Sequence, residues 1–101
     1  MEIFNKTTLK YTIDLTTKFK NDYKKIKRQN KDITKLAYVI SKLANGEELE
    51  SKYKNHKLIS NKKYKDCFEC HIQPYWLLVY KIKDDKLILL LFATGLHSEL
   101  F

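Results

Sequence analysis

Between Lys86 and Thr94 the chain reads KLILLLFAT, an almost unbroken apolar run with no turn residue inside it. A run of this length is too short to cross a bilayer, which takes about 20 residues. It suits a strand at the centre of a sheet, shielded on both faces. The rest of the chain must then supply strands for both of its edges and elements to cover it. Asp84-Asp85 before the run and Gly95 after it mark its ends.

Its neighbours are legible from period and punctuation. Tyr64 to Ile72 reads as one strand, Pro74 as a turn and Trp76 to Ile82 as the next strand, with Asp84-Asp85 as a tight hairpin turn into the apolar run. Residues 9–16, LKYTIDLT, alternate Leu9, Tyr11, Ile13 and Leu15 with polar residues, the period of a half-buried strand. Thr16 or Thr17 caps a helix through about Gln29, its apolar stripe made by Phe19, Tyr23 and Ile26. The other faces of that helix are basic, with Lys18, Lys20, Lys24, Lys25, Lys27 and Arg28. Asp32 caps a second helix, on which Ile33, Leu36, Ala37, Ile40, Leu43 and Ala44 fall on one side. Asn45-Gly46 stops it. Residues 47–63 read as a connecting loop with a short strand near His56–Ile59, and LHSELF as a short tail. The order β-α-α-β-β-β predicts one α+β domain over 1–101, an antiparallel sheet with two helices packed on one face.

Composition narrows the partners. Twenty Lys and Arg against twelve Asp and Glu leave a formal charge of +8. That favours an anionic partner, although lysines also serve simply as solvated surface. Lys6, Lys10 and Asp14 interrupt the N-terminal segment, so it does not read as a signal peptide, and the expected location is the cytoplasm. Two cysteines are expected there as reduced thiols.

Cys67-Phe68-Glu69-Cys70-His71 matches the C-x-x-C-H pattern of covalent haem attachment. In a strand, however, positions 67 and 70 point to opposite faces, and no further cysteine exists to complete a zinc site. Neither a metal nor a cofactor is expected. The strand reading puts Phe68, Cys70 and Ile72 toward the core and Cys67, Glu69, His71 and Gln73 on the other face. A glutamate and a histidine two apart can work as an acid–base pair, because histidine exchanges protons near neutrality. Taken singly, a histidine is more simply a solvated side chain. The chain has three, and His56 in the loop and His97 past Gly95 could converge on the face of His71.

The ordered blocks Asn45-Gly46, Lys52 to Leu58, Glu69-Cys70-His71-Ile72-Gln73-Pro74, Trp76 to Tyr80, Asp84 to Leu89 and Thr94 to Phe101 resemble the YafQ-like branch of the RelE/ParE toxin superfamily. The resemblance implies a RelE-like fold and a type II toxin that cuts messenger RNA in the ribosomal A site. It implies a cognate antitoxin as partner, operator DNA bound only through the antitoxin complex, and no membrane. The family's catalytic histidines map onto His56, His71 and His97, and its aromatic positions onto Trp76 and Phe101. Glu69, Tyr75, Lys57 and Lys81 are expected beside them as RNA contacts.

The chain departs from the family pattern at three places. Tyr75 stands where an Asp is usual after H-I-x-P, Ala93 where an Arg is usual before T-G, and Phe68 where an Arg is usual before E-C-H. Loss of a cation facing the transferring phosphate commonly costs about 10²–10³ in rate. Lys57 or Lys81 is the expected replacement, and a weakened nuclease acting mainly through antitoxin binding and autoregulation is the alternative. The basic first helix and the outer sheet edge are the expected antitoxin surface.

Overall fold

The structure, a computed structural model, describes residues 10–101. It opens on β1 (Thr12–Leu15); Leu9, expected to begin this strand, lies outside the described residues. Thr16 turns the chain into α1 (Thr17–Arg28), its hydroxyl accepting the Phe19 N–H at 3.0 Å, one of the donors that a helix start leaves unpaired. Asp32 caps α2 (Ile33–Ala44) in the same way, through the Thr34 N–H at 3.0 Å. Gly46 follows with φ +76°, the left-handed conformation expected of a helix stop. β2 (His56–Lys57), β3 (Phe68–Gln73), β4 (Trp76–Lys83) and β5 (Ile88–Leu96) complete the sheet, and α3 (His97–Leu100) ends the chain.

The sheet order is β1-β5-β4-β3-β2, which puts the apolar run between two partners as its composition requires. β2, β3, β4 and β5 pair antiparallel, but β1 runs parallel to β5, so the sheet is mixed rather than wholly antiparallel. No short turn links these two strands, and turn chemistry therefore does not set their relative direction. Their pairing is set by docking: the Tyr11 N–H binds the Ala44 carbonyl at 2.9 Å, and the Tyr11 hydroxyl donates to Asp84 at 2.9 Å.

One irregularity sorts the core into two. Val79 pairs with Ala93 and Tyr80 with Leu91, leaving Phe92 as an extra residue in β5. Such a bulge reverses the facing of everything beyond it. Leu89 and Leu91 lie with Phe19, Ile26, Leu36 and Ile40 under the helices, whereas Ala93 joins Leu77 and Val79 on the opposite face. The bulge is pinned by α1's cap residue, since Thr16 donates its N–H to the Leu91 carbonyl at 3.1 Å and its hydroxyl to the Phe92 carbonyl at 2.6 Å.

The second face is not bare. Tyr64, Cys67 and Leu100 cover Leu77, Val79 and Ala93 there. The strand expected from Tyr64 begins only at Phe68, because Asn61 bends the preceding segment by accepting the Lys63 and Tyr64 N–H groups, each at 3.0 Å. The expected tail is a single helical turn, closed by Phe101 N–H to the His97 carbonyl at 3.0 Å. No described helix is long and apolar enough to cross a membrane.

Candidate functional site

The three histidines are carried by three different elements. His56 lies on the short edge strand β2 and pairs directly with Glu69 on β3. Opposed residues share a face, with side chains about 5 Å apart, and a diagonal neighbour two residues on lies about 7–8 Å away. His56, Glu69 and His71 therefore form a row along the outer part of the second face. His71 is opposite Leu77, and Leu77 is opposite Gly95, which places the start of α3 at the far side of that row. Two strand spacings amount to about 10 Å, and His97 begins α3 just past Gly95.

The hydrogen bonds give the rings different chemistry. His56 Nδ1 lies 2.7 Å from the Lys54 carbonyl, an acceptor only, so in the neutral ring Nδ1 is the nitrogen that carries the proton and Nε2 the one with the lone pair. Asn55 beside it accepts the Tyr80 hydroxyl at 2.6 Å, which ties this end of the loop to β4. His71 is bracketed by acceptors: Nδ1 lies 3.2 Å from the Pro74 carbonyl and Nε2 lies 3.5 Å from the Glu69 carboxylate. Either ring nitrogen can donate there, according to the tautomer. Glu69 is 7% exposed, so its carboxylate faces the histidine rather than bulk water.

His97 stacks on Phe101 with ring centroids 5.0 Å apart, and Phe101 sets its edge against buried Tyr64 at 5.3 Å. The helix that presents both is held from three sides. Glu99 accepts the Leu96 N–H at 3.1 Å and pairs with Lys25 of α1, and that lysine holds its carboxyl below the usual carboxylate range. The Leu100 carbonyl receives the Tyr64 hydroxyl at 3.0 Å and Lys63 Nζ at 3.2 Å. Tyr64, Lys63 and Lys25 are positioning residues that sequence reasoning passed over, since no local pattern joins residues 36 or more positions away to the C-terminus.

The remaining expected contacts divide by face. Lys81 follows Leu77 and Val79 in the alternation of β4 and shares the histidine side. Lys57 pairs with Phe68, whose ring stacks on Tyr80 against the helix-side core, so Lys57 leaves the sheet on the other face from His56. Tyr75 is 80% exposed in the turn beside Pro74, next to His71. Trp76 is not available to a base. It is 1% exposed in the helix-side core, with its indole N–H donating to Thr94 at 2.9 Å. The alternation that puts Leu77 on the histidine face puts Trp76 on the opposite one.

Ala93 faces the histidine side, in line with Val79 and Glu69, and is fully buried. It packs in the cluster with Tyr64, Val79 and Leu100, where a cation would be buried and the alanine contributes a methyl group. Cys67 is buried in the second-face cluster and Cys70 in the helix-side core, so the two sulfurs lie on opposite sides of the sheet. Burial raises both thiols, Cys70 to about 12. Among the described residues no group of three or more His, Cys, Asp or Glu could hold a metal ion.

Comparison with known proteins agrees with this fold. A family model described as the bacterial toxin of type II toxin–antitoxin systems, YafQ, matches residues 11–101. The chain belongs to the YafQ family of type II toxins. The mRNA interferase toxin YafQ of Escherichia coli strain B / BL21-DE3 is 36% identical over 91 residues, covering 88% of this chain and 94% of that protein. Among solved structures, a metal-bound toxin from Helicobacter pylori is 41% identical with a TM-score of 0.84, over 90% of this chain and 99% of that one. A chain of an E. coli DinJ–YafQ complex is 34% identical with a TM-score of 0.81, over 90% of this chain and 98% of that one. This YafQ-family chain thus shares its fold with relatives along nearly their full length.

Proposed function

We propose that this YafQ-family toxin is an mRNA interferase, an endoribonuclease that cuts messenger RNA in the ribosomal A site by histidine acid–base chemistry. The observation that carries the reading is the row His56–Glu69–His71 on one sheet face, with His97 and Phe101 held at its far side. The name of the E. coli relatives, mRNA interferase toxin, supports the same activity. The DinJ–YafQ complexes support a cognate antitoxin as partner. In this reading operator DNA is reached only through the antitoxin complex.

In this mechanism His56 Nε2 takes the proton of a ribose 2′-hydroxyl. The 2′ oxygen forms a bond to the adjacent phosphorus while the bond from phosphorus to the 5′ oxygen breaks. His71 turns its Nε2–H from the Glu69 carboxylate, 3.5 Å away, to the leaving 5′ oxygen and gives that proton up. The products are a 2′,3′-cyclic phosphate and a 5′-hydroxyl. Acid and base must stand on opposite sides of the phosphorus, and a separation of about 7–8 Å leaves room for it between them. His97 and Lys81 stabilise the charge that gathers on the phosphoryl oxygens, and Phe101 and Tyr75 hold flanking bases.

Expression of the chain alone, with primer extension on a reporter message, tests this. Discrete cuts within translated codons are expected, and His56→Ala, His71→Ala and His97→Ala should each suppress them while circular dichroism shows every variant folded. Uncut message and unimpaired growth would sink the proposal. The buried methyl of Ala93, where the superfamily usually has an arginine, favours a second reading, a weakened nuclease acting mainly by antitoxin binding and autoregulation. Tight antitoxin binding with no cuts would select that reading.

A further inference from the structure

A groove of about 760 Å³ opens at the edge of the sheet beyond the end of β2. β2 covers only Phe68 and Glu69, so the stretch of β3 from His71 onward forms one wall. The other walls are Thr34, Lys35 and Tyr38 of α2 and the turn Lys52-Tyr53-Lys54. His71 belongs both to this groove and to the histidine row.

The lining has the chemistry of a single-stranded nucleic-acid track. Tyr38 and Tyr53 lie with ring centroids 6.2 Å apart, and Tyr38 is 46% exposed. Three lysines, Lys35, Lys52 and Lys54, are exposed around them. The one carboxylate in the lining, Glu50, is already committed: Lys42 pairs with it at 2.8 Å and the Tyr38 hydroxyl donates to it at 3.0 Å. That network neutralises Glu50 and fixes the Tyr38 ring. Aromatic faces beside lysines bind single strands by stacking bases while the cations follow the phosphates.

We propose that this groove holds the single-stranded RNA flanking the scissile phosphate, with a base on Tyr38 and Tyr53 and phosphates on Lys35, Lys52 and Lys54. The inference rests on the nuclease reading above and extends it to the substrate segment beyond the cut. An acidic peptide is the competing occupant, but it would use the lysines and leave the exposed Tyr38 ring, set beside half-buried Tyr53, without a role.

The test uses the full chain and fluorescent 2′-O-methyl RNA, which lacks the attacking hydroxyl and cannot be cut. Oligomers of three and nine nucleotides are compared by anisotropy. The longer is expected to bind more tightly. Tyr38→Ala should weaken it by about 5- to 150-fold and leave the trimer unchanged. Tyr38→Phe keeps the ring and loses only its tether to Glu50, so it should bind the longer oligomer more tightly than Tyr38→Ala does. Lys35→Gln and Lys54→Gln should each lower the slope of log affinity against log salt by about 0.7. Circular dichroism confirms that each variant is folded. Equal affinity of both oligomers, an unaffected Tyr38→Ala variant, or an acidic peptide that displaces no RNA while occupying the groove would overturn the proposal. Cutting on programmed ribosomes is measured separately. Cuts that survive while Tyr38→Ala binds normally reject the groove alone, whereas groove binding without any cuts rejects the nuclease alone.

Discussion

The attachment of α3 gives the sharpest prediction about how this fold holds its site. The Leu100 carbonyl has two donors, the Tyr64 hydroxyl at 3.0 Å and Lys63 Nζ at 3.2 Å. Tyr64→Phe keeps the buried ring and its edge contacts to Phe92 and Phe101. It removes one hydrogen bond and leaves the carbonyl still satisfied, so the loss is about 0.5–1.5 kcal/mol. Lys63→Met removes the other and should cost no more. The double variant strands a carbonyl beside the buried Leu100 side chain, which adds a desolvation penalty of about 1–3 kcal/mol to the sum. Urea unfolding of the four proteins closes a double-mutant cycle, and the expected coupling exceeds about 0.5 kcal/mol. Amide exchange localises the effect: the Phe101 N–H, bonded to His97, should lose protection before the sheet does. Cleavage should fall in parallel, because His97 and Phe101 ride on this turn. Costs that simply add, with Phe101 exchange unchanged, would refute the claim that the two donors share one acceptor that matters.

Other outcomes follow from the same contacts. Glu99 has its carboxyl lowered by Lys25, so the folded state binds fewer protons there than the unfolded chain. Its stabilising contribution is present above the ordinary carboxylate value and disappears as pH falls through the lowered one. The difference in melting temperature between the parent and Glu99→Gln should therefore shrink over that acidic interval, and a constant difference would contradict it. Cys67 and Cys70 should resist a thiol reagent at pH 8 in the folded protein and both react in denaturant, since burial raises each thiol. Rapid labelling of either under native conditions would show that its cover opens. Trp76→Phe should lower stability by about 1–3 kcal/mol through a lost hydrogen bond and a small cavity, with RNA affinity unchanged. Lys81→Gln should slow cleavage more than Lys57→Gln; equal effects would mean that the two faces of the sheet do not divide as the pairing indicates.

The local elements of this chain are written in local chemistry. Thr16, Asp32 and Gly46 bound the helices because a cap acts within one turn, and the stripe on α2 names its buried side by period alone. The apolar run after Lys86 announced a central strand, and it lies between β1 and β4. The three histidines were equally visible as residues, and their spacing within recognisable blocks named the family. The sequence could not orient them. Whether Trp76 served the core or a base, and whether Lys57 or Lys81 stood on the histidine face, depended on strand parity, which a shift of one residue reverses.

Tertiary structure decided the rest. The parallel pairing of β1 with β5, the extra residue at Phe92 and the fastening of α3 by Lys25, Lys63 and Tyr64 all join residues far apart in the chain. The apolar run that determined the sheet did so through composition, because burial on two faces needs only apolar side chains. The bulge within it reversed Ala93 to the histidine face because Thr16 binds the carbonyls of Leu91 and Phe92, a contact between residues far apart in the chain that no local pattern encodes.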